Sequence, residues 1–183
     1  MNDKMKNLFK EIFNTVIYLA VIFVMTYLFI TFVAQRTKVD GMSMESTLHD
    51  EDSLLIEKIS YRFGDPKRFD IVVFPYSDEY TDEVYFIKRV IGLPGERVRI
   101  DYDGNIYIND QILEENYGKE VIADPGRAAE EIVLGEDEYF VMGDNRNNSK
   151  DGRDPSVGNI KKSDFLGRAF FRIYPFSDFG SIK

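Results

Sequence analysis

Two side chains in this chain could act as a nucleophile and its base: Ser43, in the stretch "TKVDGMSMESTLHDED", and Lys88, in "VYFIKRVIG". Ser43 stands between Met42 and Met44, with Gly41 just before it and acidic residues soon after. By local pattern alone a serine in such a setting is a turn residue, and its hydroxyl is a poor nucleophile unless a base removes the proton. The lone histidine, His49, is only six positions on and badly placed for a triad. The base must then be a carboxylate, a lysine or an N-terminal amine. The apolar run over residues 12–34 puts the N-terminal amine on the far side of a membrane, which leaves lysine as the interesting choice.

Lys88 differs from the other lysines, which sit among charges. Strand alternation places Val84, Phe86, Lys88 and Val90 on one face, and Tyr85, Ile87, Arg89 and Ile91 on the other. A lysine with apolar neighbours on its own face is desolvated, which disfavours its charged form and lowers its pKa. An exposed lysine, near 10.4, is almost wholly protonated at neutral pH and useless as a base. The competing reading is an edge lysine that snorkels over the sheet.

The third stretch, "FVMGDNRNNSKDGRD" (140–154), is dense in Asn, Asp, Gly and Arg. Loops of this composition form turns through side-chain to backbone hydrogen bonds, and most do nothing else. Here the loop also carries Ser149, the acids Asp144 and Asp151, and the arginines Arg146 and Arg153, which could lock a site through charge-assisted pairs.

The elements that must position these residues are short strands. "DSLLIEKIS", "DIVVFPY", "EVYFIKRVIG", "EYFVMGD" and "GRAFFRIYPF" read as strands separated by turn chemistry. "RVRIDYDGNIYIND" reads as a hairpin with Asp103-Gly104 at its tip. Asp101, Asp103 and Asn105 do not make a calcium loop, because Ile106 and Ile112 stand where glycine and an acid are needed. The acidic stretch 114–131 reads as a loop-rich insertion or small subdomain, about 110–135. The predicted fold class is mostly β: an N-terminal transmembrane helix followed by an antiparallel β-sheet domain over 35–183.

Residues 12–34 carry no charge and, at 1.5 Å per residue, make a helix of roughly 34 Å, enough to cross a hydrocarbon core. A removable signal peptide has a shorter apolar core and small residues before its cut. Here the run is longer and Phe32 stands where a small residue belongs, so a retained anchor is expected. Lys4, Lys6 and Lys10 precede the span, against Arg36 and Lys38 after it. That slight bias puts residues 1–11 in the cytoplasm and 35–183 outside it.

Composition narrows the classes. No cysteine is present, which excludes disulfides, thiolate metal sites and a cysteine nucleophile. One histidine cannot build a histidine-rich zinc site. The net charge of −9 argues against a nucleic-acid partner. No cofactor or metal is expected.

Together these stretches resemble the type I signal peptidases, specifically the small bacterial kind with one N-terminal anchor. "GMSMESTL" is similar to their nucleophile box, commonly Ser-Met-x-Pro-Thr-Leu. "DIVVFPY" is similar to the strand that follows it. "YFIKRVIGLPGE" is similar to the lysine box, and "VMGDNRNNSKDGR" to the Gly-Asp-Asn-Arg-x-x-Ser-x-Asp-Ser-Arg box. The four occur in order over nearly the whole chain. The resemblance implies Ser43 as nucleophile, Lys88 as general base, Ser149 hydrogen-bonded to Lys88, and Asp144 paired with Arg89. Arg146, Asp151 and Arg153 would support the site, with Gly41, Met42 and Met44 at the substrate pocket and oxyanion position. It also implies a monomer at the lipid bilayer that cuts the signal peptides of secretory preproteins after Ala-x-Ala-like sites.

Three departures from the pattern stand out. Ser46 replaces the usual proline, Gly152 the second serine of the last box, and Gly41 a serine that in some relatives adds an oxyanion donor. Glu96 for Asp is conservative. Two rival readings are a different Ser/Lys protease, such as the self-cleaving repressors, and a non-catalytic membrane-tethered β module. The first would bring a DNA-binding domain, and no helix-turn-helix pattern is present. The second would need neither the hydroxyl nor the lysine.

Overall fold

The structure, a computed structural model, describes residues 3–32, 34–78 and 81–182. A 30-residue helix, α1 (Asp3–Phe32), comes first. Its stretch Lys4–Phe29 is long and apolar enough to cross a membrane, and none of it is buried against the rest of the chain. The helix begins ahead of the expected 12–34, because the charged turns before Ile12 hold good helix formers that extend it. At the other end Ala34 already belongs to a strand, and Val33 lies outside the described residues.

The strands follow in chain order. β1 (Ala34–Lys38), β2 (Ser53–Glu57), β3 (Ile71–Asp78) and β4 (Thr81–Gly92) come before a group of four short ones. That group is β5 (Arg97–Ile100), β6 (Ile106–Ile108), β7 (Gln111–Ile112) and β8 (Ile132–Val133). The chain then returns with β9 (Glu138–Met142), β10 (Ile160–Lys161), β11 (Gly167–Tyr174) and β12 (Gly180–Ser181). The large sheet runs β1-β2-β11-β3-β4-β9-β10, with β12 on β11, and the small one runs β7-β6-β5-β8. Every described pairing is antiparallel.

The large sheet is covered on both faces. Along β3, Val72 and Phe74 pack with Val90, Tyr139, Val141 and Phe165. Ile71 and Val73 face the opposite way, onto Met44, Leu48, Leu54, Ile56 and Ile87. Burial on both sides is why "DIVVFPY" reads as one unbroken apolar run rather than an alternation. The stretch after β1 folds back as a cap, burying Met44 and Leu48.

The small sheet forms a second core with the ends of β4 and β9, through Ile91, Val98, Ile100, Leu134, Phe140 and Met142. Gly92 stands at the crossing from one sheet to the other, where an added Cβ would lie 2.6 Å from Val98 and 2.7 Å from Leu134. The small sheet starts at Arg97, ahead of the insertion expected over about 110–135. Its hairpin alternation seats Val98 and Ile100 against Phe140 rather than in the large sheet. The acidic stretch 114–131 contributes a 3-10 turn, Gly126–Ala129, and otherwise runs as coil over the loop after β9.

Candidate active site

Lys88 lies on β4 and is 3% exposed. β9 pairs with β4 from Arg89 onward, Arg89 opposite Met142, so Lys88 sits where that pairing stops. Its Nζ donates to Ser43 Oγ at 2.7 Å and to its neighbour's backbone, Ile87 O, at 3.0 Å. The same Nζ is 4.8 Å from the centre of the Phe86 ring. Burial lowers the Lys88 pKa from 10.5 to about 8, with Asp151 and Asp144 pulling weakly the other way. A buried amine near neutrality beside a serine hydroxyl is the arrangement that proton abstraction needs.

Ser43 is held from the last loop. Asn145 donates its backbone N–H to Ser43 O at 3.0 Å and its side-chain amide to Met42 O at 3.0 Å. Gly143 lets the two segments approach, because an added Cβ would overlap both Ser149 Oγ and Ser43 O. Gly143 N–H donates in turn to Asp151 Oδ2 at 2.9 Å.

Arg89, next to Lys88 but on the opposite face, is fully buried with Asp144. Its Nε donates to Asp144 Oδ1 at 2.9 Å and its Nη2 to Oδ2 at 2.7 Å. The Thr47 hydroxyl donates to the same Oδ2 at 2.5 Å. A fork-to-fork pair at full burial is rigid, and its two ends belong to the lysine strand and to the loop that grips Ser43. Asp151 is paired in the same way with Arg153, at 2.9 Å on each oxygen. Arg153 also donates to Arg146 O at 2.5 Å, and Arg146 Nη1 meets Glu115 at 2.8 Å.

The expected bond between Ser149 and Lys88 is not formed. Among the described residues Ser149 Oγ is buried without a hydrogen-bond partner, packed over Gly143, while Lys88 donates to Ser43 and to Ile87 O. Met44 is core, whereas Met42 is half exposed on the rim of the site. Gly41 has φ +95°, a conformation that favours glycine over serine, and its N–H is taken by Asp50 Oδ1 at 2.8 Å. Gly152 has no room for a side chain: a Cβ would stand 2.8 Å from Val141 O and 3.2 Å from the Phe140 ring. Those two departures are thus accommodated by the local backbone.

A groove of about 380 Å³ runs past Ser43 and Lys88. One wall is residues 37–44, the other residues 85–88, with Asn148 and Lys150 at the end. β1 is the terminal strand of its sheet, and β4 has no sheet partner opposite residues 84–88 on the β9 side among the described residues. No group of three or more metal-ligating side chains is found among the described residues.

Thr47, Gly143 and Asn145 were not singled out from the sequence, although they lie inside the two boxes that were. Glu115 and Tyr117 carried no signal. They fall in a stretch whose polar composition suggests solvent.

Comparison with known proteins adds to this geometry. Residues 11–174 match the model of a family described as signal peptidase, peptidase S26. A Synechocystis protein named "Probable signal peptidase I-2" is 45% identical over 79% of this chain, which spans 65% of that relative's length. Signal peptidase I of Bacillus licheniformis is 33% identical over 96% of each chain. A solved signal peptidase I from Enterococcus faecalis is 32% identical, covering 57% of this chain and 96% of that one, with a TM-score of 0.45. With a family match from the helix to the last long strand, this chain belongs to the signal peptidases of family S26.

Proposed function

We propose that this chain is a membrane-anchored serine endopeptidase that removes signal peptides from exported preproteins after Ala-x-Ala-like sites. Membership of a peptidase family sets the reaction as hydrolysis of a peptide bond. The observation that carries the reading of the dyad is the 2.7 Å contact between Ser43 Oγ and the buried Lys88 Nζ. In the reaction a neutral Lys88 takes the proton of Ser43 as Oγ attacks the scissile carbonyl. The protonated amine then gives that proton to the leaving nitrogen, and the mature protein departs. Water activated by the same lysine attacks the acyl-enzyme and releases the signal peptide.

In this reading the Ser43 N–H donates to the developing oxyanion. Substrate lies in the groove as an extended segment between β1 and residues 84–88 of β4, using the unpaired edges. The helix supports the placing of the site: Ser43 follows Phe32 by eleven residues, so at most about 40 Å of extended chain separates it from the bilayer. The enzyme acts as a monomer, with residues 1–11 in the cytoplasm and the β domain outside.

The test is cleavage of a secretory preprotein with an Ala-x-Ala site by the purified protein in detergent, with product termini read by mass spectrometry. One cut after the final Ala, absent in Ser43→Ala and Lys88→Ala, is the expected result. Cleavage that survives either change would end the dyad assignment.

A further inference from the structure

The segment 115–119 touches the catalytic framework at four points without lining the groove. Glu115 pairs with Arg146 at 2.8 Å, both side chains nearly buried. The Tyr117 ring lies 3.7 Å from the guanidinium carbon of Arg89 and 5.0 Å from the Phe69 ring. Lys119 N–H donates to Asp144 O at 2.8 Å. Lys119 Nζ pairs with Glu45, two residues beyond Ser43, at 2.8 Å. Every second residue thus grips a different part: the last loop, the lysine strand, the backbone of Asp144, and the nucleophile turn.

We infer that residues 115–119 are a strap that sets the distance between Ser43 and Lys88, with Tyr117 as its chief positioning residue. Arg89 and Asp144 form the bar that joins the lysine strand to the loop holding Ser43 O. Tyr117 closes one face of that bar. A guanidinium over an aromatic face is attracted by the ring, most strongly where water is excluded. The strap needs no contact with substrate, since it acts through Arg89 and Asp144. Its effect therefore falls on the chemical step rather than on binding.

The inference rests on the proposed function, and the experiment separates the two. Tyr117→Leu and Tyr117→Phe of the full chain in detergent are compared with wild type for kcat, KM and thermal transition. Tyr117→Leu should lose kcat by roughly 10- to 100-fold, the scale of a misplaced reacting group. KM should be unchanged, and Tyr117→Phe, which keeps the ring face, should restore the rate. An unchanged kcat, a rise in KM alone, or equal loss in both variants would overturn the strap.

Hydrogen exchange over residues 143–149 gives a readout independent of cleavage. The Asn145 amide should exchange faster in Tyr117→Leu and recover in Tyr117→Phe, and unaltered protection overturns the inference even where wild type cuts nothing. Absence of cutting by wild type is the failure of the proposed function alone. If Tyr117→Leu does not fold, Lys119→Met severs only the tie to Glu45. A fall in kcat of about two- to fivefold, as for a surface pair, then supports the strap, and an unaltered kcat overturns it.

Discussion

At the residue scale, the proposed chemistry turns on the protonation of Lys88. Its fall from 10.5 to about 8 corresponds to about 3 kcal/mol against the charged form. Two measurements follow from the sign. Activity should rise with pH about tenfold per unit below 8 and level above it, because the proposed mechanism takes the neutral amine as its base. A rise that continues past 10 in a pH-rate profile would mean that the lysine is not desolvated. Stability moves with the same group. Below pH 8 Lys88 is charged in both folded and unfolded states, and burial of that charge costs the folded state in full. Between 8 and 10.5 the unfolded chain binds the extra proton, so the cost fades as pH rises. Lys88→Met should therefore stabilise the fold by up to about 3 kcal/mol at pH 7 and by little above pH 10.5, read by urea unfolding at the two pH values. The same variant should be inactive. Lys88→Arg, which cannot deprotonate, should lose activity by about 10,000-fold or more, as Ser43→Ala should.

At the scale of elements, three pieces of chain are tied into one site by buried pairs and close glycine contacts. The Arg89–Asp144 pair links β4 to the loop after β9. Asp144→Ala would leave the buried Arg89 guanidinium without its carboxylate, with an expected loss of about 3–5 kcal/mol in chemical denaturation. A loss below 1 kcal/mol would mean that water reaches Arg89. Gly143 and Gly152 hold the same loop close to its neighbours. Gly152→Ser, the residue usual in the resembling box, should destabilise by about 1–3 kcal/mol, because its Cβ meets Val141 O and the Phe140 ring. An unchanged thermal transition would show that β9 shifts to make room.

At the scale of the whole molecule, the covalent path fixes the arrangement. α1 ends at Phe32, β1 begins at Ala34, and the nucleophile turn follows directly, so the groove is tethered close to the end of the helix. With the proposed orientation, protease added to spheroplasts should digest the β domain and leave the N-terminal segment protected. Digestion only in inverted vesicles would reverse the topology. The helix long and apolar enough to cross a membrane was readable in the sequence because a bilayer demands a long uncharged run, and no packing detail enters that requirement. The long strands were also readable, through their alternation and turns. β1 and the two-residue strands β7, β8, β10 and β12 were not, since two residues carry no period and the short, polar β1 shows no apolar alternation.

The sequence by itself determined the long apolar N-terminal run, the mostly antiparallel β class and the four boxes, in order, that carry the family resemblance. Those depend on residue type, local period and motif order. Only the tertiary structure decided that Ser43 Oγ and Lys88 Nζ stand 2.7 Å apart. It also decided that Ser149 Oγ makes no hydrogen bond to the lysine, and that an acidic coil lies against Arg89 and Asp144. These are contacts between segments far apart in the chain, set by how strand ends and loops pack over one another. A polar stretch such as 114–119 gives no local sign of what it will touch.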